Sequence, residues 1–433
     1  MTLRIGVDGY NLALPTGTGV ASYGRALCRA ITGLGGEIDL IYGVTMRADT
    51  PAHMRETLFY SRLGEMGQKL KMTFKRRLIR ATMMPTVRRP VEIPVSGKVI
   101  KADMAERVPQ AARLFSRSGL FEGSVRHFRR FGRPMRIALP NPPAIMHWTY
   151  PVPVELVGAR NIYTLHDIVP LVMPYASLED KSYYKSLLQW IFDHASGVCT
   201  VSEASRRDMI DMFALPEDRI TNLYQAADLG SRPVLEADED LRLWLSRLFD
   251  LDLKGYLLFA GAIEPKKNVG RLIEAYLQSG VDTPLIVVGR EGWRAEPELR
   301  LLNGGNGAQL KGATRIRRID YLPRAQLLRL VRGARAMLFP SLYEGFGLPV
   351  LEAMCLGTPV LTSSVSSLPE VTGEAAVHVD PYDVDAMAEA IRALDGDSAL
   401  RNRLSALGLA RSERFSGAEF ERRLAEFYGK TLG

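Results

Sequence analysis

Short apolar, β-rich runs alternate with helix-patterned segments along almost the whole chain, and the series starts twice. The first series of runs falls at 3–7, 38–44, 144–148, 161–165, 197–201 and 220–224, with helical patterns between them, notably at 179–194 and 203–213. The second falls at 256–260, 284–288, 316–321, 336–339, 359–362 and 376–379. A β-run followed by a helix and then another β-run closes only as a parallel sheet with helices on its faces. Two such series therefore imply two doubly wound sheets. The length of 433 residues fits two domains rather than one. An acidic, β-poor stretch at 230–244 divides them. The expected organisation is a first domain over 1–230, a second over 245–415, and a closing amphipathic helix over 416–433. Residues 50–136 are irregular, basic and punctuated by proline, and read as a helical insertion in the first domain. Ligands of doubly wound sheets bind outside the carboxyl ends of the strands, so the cleft between the domains is the expected site.

Composition narrows the function classes. With 46% hydrophobic and 24% charged residues the chain is neither collagenous nor disordered. Cys28, Cys199 and Cys355 are widely spaced, form no ligand set, and are expected to be reduced core thiols of a cytoplasmic protein. No apolar run approaches the ~18 residues of a spanning helix. Asp8 and Asn11 interrupt any signal-peptide core, so the N-terminus reads as a first strand.

The net charge of +8 is unevenly spread: 18 Lys/Arg against 4 Asp/Glu lie between Lys69 and Arg136, leaving the remainder acidic. In 69–89, KLKMTFKRRLIRATMMPTVRR, Leu70, Phe74 and Leu78 recur at helical spacing, bordered by Lys75, Arg76, Arg77 and Arg80. Such a helix suits an anionic membrane surface. It also suits an ordinary helix with its stripe on the core. Nucleic acid is disfavoured, because few aromatics are present to stack bases. The expectation is a protein held peripherally on the inner face of the cell membrane.

The most informative stretch is LFPSLYEGFGLPVLEAMCLGTPVLTS at 338–363. A strand is followed by a loop over 341–348. Pro349 then suits the first turn of a helix and Gly357 its end, with Glu352 read as lying in that first turn. Gly345 and Gly347 let the backbone approach a ligand and turn its N–H groups toward it, and the helix N-terminus adds partial positive charge. Two carboxylates, Glu344 and Glu352, flank this anion cradle. They can hold a sugar polyol on one side and a ribose on the other.

This stretch resembles the E-x7-E motif of the GT-B glycosyltransferases of family four, the retaining, metal-independent group, and nearly the whole chain outside 50–136 follows that family. The resemblance implies two Rossmann-like domains facing across a cleft. It implies that the Glu344 side chain binds the transferred sugar, that Glu352 binds the nucleotide ribose, and that the backbone of Gly345, Phe346, Gly347 and Leu348 holds sugar and phosphate oxygens. FAGAIEPKKN at 259–268 resembles the family's G-x-x-x-P-R-K-N segment, so Lys266 and Lys267 are expected to neutralise the leaving diphosphate. Lys266 stands where arginine is usual, replacing a bidentate fork by a point charge. PTGTGVASY at 15–23 resembles the family's G-x-G-R-Y loop, which places Gly19 against the donor, with Val20 where arginine is commoner. His166 and Asp167 in TLHDIVP match the family's H-D segment, and the resemblance puts His166 beside the reacting carbon. Ser202 and Ser205 match V-S-x-x-S and read mainly as helix caps.

The function implied is retaining transfer of a sugar, mannose from GDP-mannose by preference, from a nucleotide diphosphate sugar to a glycan acceptor. Polyprenyl-linked acceptors of surface polysaccharide synthesis fit the basic segment. The catalytic set is His166, Lys267 and Glu344. No cofactor or metal is expected, because the Asp-x-Asp pairs at 238–240, 250–252, 383–385 and 395–397 sit in solvated or helical contexts. Two rival readings account for less of the sequence. A glycoside hydrolase using Glu344 and Glu352 leaves the lysines and glycines unexplained. A catalytically silent GT-B module partnering another transferase at the membrane leaves the intact Glu344, Glu352, Lys267 and His166 unexplained.

Overall fold

The computed structural model describes residues 3–14, 19–47, 49–65, 87–100, 104, 106–227, 229, 236–302 and 312–433. Gly17 and most of the basic 69–89 segment lie outside the described residues. Two large sheets carry the fold. Across the first, the strands run Ile220–Asn222, Gly197–Thr200, Arg160–Thr164, Ile145–Trp148, Arg4–Asp8, Glu37–Tyr42, Arg113–Ser116 and Val91–Ile93. All pair in parallel except the antiparallel Val91–Ile93 edge. Across the second, all parallel, they run Ile316–Ile319, Leu285–Val288, Leu257–Ala260, Ala336–Phe339, Val360–Ser363 and Ala376–Val379. The central strands Leu257–Ala260, Leu285–Val288 and Ala336–Phe339 are buried throughout, as helix-covered parallel strands must be, which explains their unbroken apolar sequence.

The strand order reverses between Arg4–Asp8 and Ile145–Trp148 in the first sheet and between Leu257–Ala260 and Ala336–Phe339 in the second. At such a point the connections leave in opposite directions and open a crevice at the carboxyl ends. Asp8 and Thr149 stand at the first crevice. The 261–268 and 340–347 loops stand at the second.

Residues 50–136 do not form an insertion throughout: Arg113–Ser116 is an internal parallel strand, and Leu120–Phe131 is a helix packed beneath it. The basic character that disguised this strand is partly structural. The Arg113 guanidinium neutralises fully buried Asp39, with Nε 2.9 Å from its carboxylate, and that of Arg107 donates to the Leu63 carbonyl at 2.6 Å. These cations are committed inside the domain. The local charge count therefore overstates the free basic surface.

The closing helix, Gly417–Leu432, packs on Gly19–Gly33 of the first domain. Its Tyr428 hydroxyl lies 2.8 Å from Nδ1 of fully buried His147, whose Nε2 lies 2.8 Å from the Thr164 hydroxyl. Cys28, Cys199 and Cys355 are all free thiols. No described helix is long and apolar enough to cross a membrane.

Candidate active site

The Pro-Lys-Lys segment forms a single 3₁₀ turn, Pro265–Lys267, after strand Leu257–Ala260. Asn268 follows it with φ of 59°, a left-handed conformation that asparagine tolerates better than most residues. Its side-chain amide donates to the carbonyls of Pro340 and Pro381, at 3.1 and 2.7 Å, and so ties the turn to the end of the neighbouring strand. The Leu342 amide adds a backbone bond to the Lys266 carbonyl at 2.7 Å. These bonds bring the two lysines beside Glu344. Lys267 Nζ lies 2.5 Å from Glu344 Oε1 and 4.8 Å from the centroid of the Phe339 ring. Burial acts to raise the Glu344 carboxyl, but the ammonium groups of Lys267 and Lys266 outweigh it, and the group ends below its ordinary value. Burial acts to lower Lys266, yet Glu344, Asp167 and Glu264 together raise it, so it stays charged.

The glycine loop is organised by hydroxyl groups. Ser366 and Ser367 donate to the Glu344 carbonyl at 2.6 and 2.8 Å. Ser202 and Ser205 of the first domain donate to the Gly345 carbonyl at 2.6 and 3.1 Å. The amides of Gly345, Phe346 and Gly347 have no hydrogen-bond partner among the described residues. A run of free amides ahead of a helix N-terminus is an anion site. The helix is Leu348–Cys355, with Pro349 in its first turn and Gly347 at φ of 99°. It begins at Leu348, so Glu352 falls in the second turn rather than the first. There Arg324 pairs with its carboxylate at 2.7 Å. The Phe346 side chain is buried against Phe415, ring centroids 5.5 Å apart, and anchors the loop.

The first domain meets this loop through its His-Asp segment. A Cβ at position 345 would lie 2.5 Å from the His166 carbonyl oxygen and 3.1 Å from Asp167 Oδ2, so only glycine allows the approach. His166 Nε2 sits 2.9 Å from the Thr149 carbonyl, which can only accept, so Nε2 carries the proton and Nδ1 keeps its lone pair. Burial lowers the His166 imidazole, against the opposing influence of Thr149 and Asp167, and it is held neutral. Its ring stands edge-on to Tyr23, 5.0 Å away, in the helix that Gly19 begins.

Lys266, Lys267, Glu344 and the glycine amides are thus brought together with His166, while Gly19 stands at the start of the adjoining helix. Glu352 lies one turn further along, on Arg324. Sequence reading passed over Asp8, which ends the first strand at the crevice. Burial pushes its carboxyl up to about 6 despite amide donation from Thr149 and Tyr10. An acid followed by glycine at a strand's carboxyl end was the available signal. Of the Asp-x-Asp acids, Asp383 and Asp397 cap helices, Asp395 pairs with Arg335 and Asp238 with Arg332. No cluster of three or more potential metal ligands occurs among the described residues.

Comparison with known proteins bears on the family and the fold. Residues 251–409 match the family described as glycosyl transferases group 1, and residues 99–230 match glycosyltransferase family 4. The chain is 37% identical over 264 residues to O-antigen chain mannosyltransferase B of Escherichia coli, covering 59% of this chain and 67% of that one. It is 28% identical over 285 residues to the serotype-specific mannosyltransferase WbdA of Escherichia coli, covering 63% of this chain but only 33% of WbdA. The fold superposes on sucrose-phosphate synthase from Thermosynechococcus elongatus with a TM-score of 0.65 at 18% identity, over 99% and 98% of the two chains. The chain belongs to the GT-B glycosyltransferases, its first domain of the family 4 kind and its second of group 1.

Proposed function

We propose that this glycosyltransferase moves mannose from GDP-mannose, with retention of configuration, to a hydroxyl of a lipid-linked glycan in surface polysaccharide synthesis. The observation that carries the donor assignment is the group of amides at Gly345, Phe346 and Gly347, without partners among the described residues, beside Lys266 and Lys267 at the second crevice. Breaking the sugar–phosphate bond places negative charge on the departing diphosphate. The lysines and amides meet that charge in a buried site, where fixed donors act most strongly. In this reading Glu344 holds the sugar, Glu352 the ribose, and neutral His166 approaches the reacting carbon from the acceptor side. The departing phosphate takes the acceptor's proton, as the family resemblance implies, and the lysines do the work that a metal ion does elsewhere.

The mannosyl assignment draws on the similarity to O-antigen chain mannosyltransferase B and WbdA. A lipid-linked acceptor also accounts for the cations of 69–89 as a contact to anionic lipid. Liposome co-sedimentation checks that contact: neutralising Lys75, Arg76, Arg77 and Arg80 should abolish binding to anionic vesicles. Binding that persists would remove the membrane role.

The test of the whole reading is a panel of nucleotide sugars without added metal, following thermal shift and nucleoside diphosphate release together. GDP-mannose should stabilise the protein and release GDP. Glu344→Ala and Lys267→Ala should abolish release. Stabilisation by a different donor reassigns the sugar, and silence with every donor, lipid extract included, rejects the reading.

A further inference from the structure

Ser202 and Ser205 read as helix caps, and Ser202 does accept from the Ser205 amide at 3.0 Å, opening helix Glu203–Phe213. Capping leaves the direction of their hydroxyl protons unexplained. Both protons cross the cleft to one acceptor, the Gly345 carbonyl, 2.6 and 3.1 Å away. The two remaining free amides of that helix end, Glu203 and Ala204, donate to the carboxylate of Glu370 in the second domain, at 2.7 and 3.0 Å. Two amides and both serine hydroxyls at this helix N-terminus are therefore directed to the second domain, the hydroxyls to the glycine loop.

The consequence follows from peptide geometry. In a trans peptide the C=O and N–H point in opposite directions, and no cis bond is present among the described residues. Fixing the Gly345 carbonyl on the two serines turns the Phe346 N–H away from the first-domain helix. That amide has no partner among the described residues. Glycine at 345 leaves this peptide otherwise easy to rotate. We infer that Ser202 and Ser205 are positioning residues: they hold the Gly345–Phe346 peptide in the orientation that presents its amide to the donor diphosphate. The first domain thereby completes a cradle built on the second, and leaving-group stabilisation depends on apposition of the two domains. This rests on the donor reading above.

The experiment compares Ser205→Ala, Ser202→Ala/Ser205→Ala and Ser202→Thr/Ser205→Thr with the wild type, for kcat, donor KM, GDP affinity and melting temperature. Ser205→Ala keeps the Ser202 cap and so separates positioning from folding. Charge on the diphosphate grows toward the transition state, so kcat should fall more than KM rises. We expect a fall on the order of 10-fold for Ser205→Ala and 100-fold for the double alanine variant, scaled from loss of one oxyanion donor. The threonine pair, which keeps both hydroxyls, should recover most of kcat. A purely structural role would lower melting temperature and the active fraction while leaving kcat per active site unchanged. Turnover by both alanine variants within about twofold of a wild type that binds GDP and transfers sugar would overturn the inference alone. A wild type that binds no GDP overturns the donor reading, and this inference with it.

Discussion

Replacing Lys267 by methionine should destabilise the protein as well as silence it, and the structure sets the size of the effect. Glu344 and Lys267 have side chains only 9% and 12% exposed, so water cannot screen what remains after the change. Removing Lys267 leaves Glu344 with only the more exposed Lys266 against its charge, and breaking a buried pair in this way costs about 3 kcal/mol, the low end of the usual range. In a domain of this size that lowers the melting temperature by roughly 10 °C. The pH dependence has a definite sign. In the wild type the Glu344 carboxyl lies below its ordinary 4.5, so its contribution is complete at neutral pH and is lost only as pH falls through that lowered value. Without Lys267, burial is opposed by Lys266 alone, so the carboxyl moves up from its wild-type position and protonation relieves the variant at a higher pH. The gap between wild type and Lys267→Met should therefore narrow from pH 8 to pH 5. Lys267→Met/Glu344→Gln should recover most of the lost stability with no activity. Urea unfolding across this pH range, completed as a double-mutant cycle, measures all of this. A single variant as stable as wild type, or a double variant no better than the single, refutes the claim that these charges depend on each other.

Gly345→Ala places a methyl 2.5 Å from the His166 carbonyl, so it should cost about 1–3 kcal/mol and at least a tenfold loss of turnover, read by thermal melts and donor kinetics. Arg324→Ala strips Glu352 of its 2.7 Å partner and should weaken GDP binding about tenfold in calorimetry, with a smaller effect on kcat; unchanged affinity would separate Glu352 from the ribose. His147 is lowered from 6.5 to about 3, chiefly by burial, so the folded state stays unprotonated while the unfolded chain takes up a proton below 6.5. Stability should fall by about 1.4 kcal/mol per pH unit below 6.5 through this group, and His147→Gln should flatten that part of the profile in urea titrations. The proposal that lysines and amides take a cation's place predicts that EDTA leaves GDP release unchanged; loss restored by Mg²⁺ or Mn²⁺ would refute it.

What the sequence made legible is what local chemistry decides. Strand Ala336–Phe339, the loop beyond it and helix Leu348–Cys355 were readable because glycine and proline punctuate an apolar run at fixed offsets. The second sheet was readable strand by strand for the same reason. Arg113–Ser116 escaped because a cation opens it and cations surround it, although that cation serves buried Asp39. Contacts between distant residues left no local trace. Ser202 and Gly345 are 143 positions apart, and His147 and Tyr428 are 281 apart, so no window of sequence holds both members. The grouping of Glu344 with the lysines was foreshadowed by the motif, but the bonds from the Ser202 and Ser205 hydroxyls to the Gly345 carbonyl emerged only once the chain was folded.

The closing helix has a mechanical consequence. The polypeptide passes from the first domain to the second between Asn222 and Leu257, and returns so that Gly417–Leu432 lies against Gly19–Gly33 and the start of strand Gly197–Thr200. Two covalent tethers therefore join the halves, like two pins in one door. A single tether would let the halves swivel freely, whereas two resist torsion and leave opening about the line that joins them. Two tethers thus limit how the halves can shift against each other, and with that the approach of Gly345 to His166.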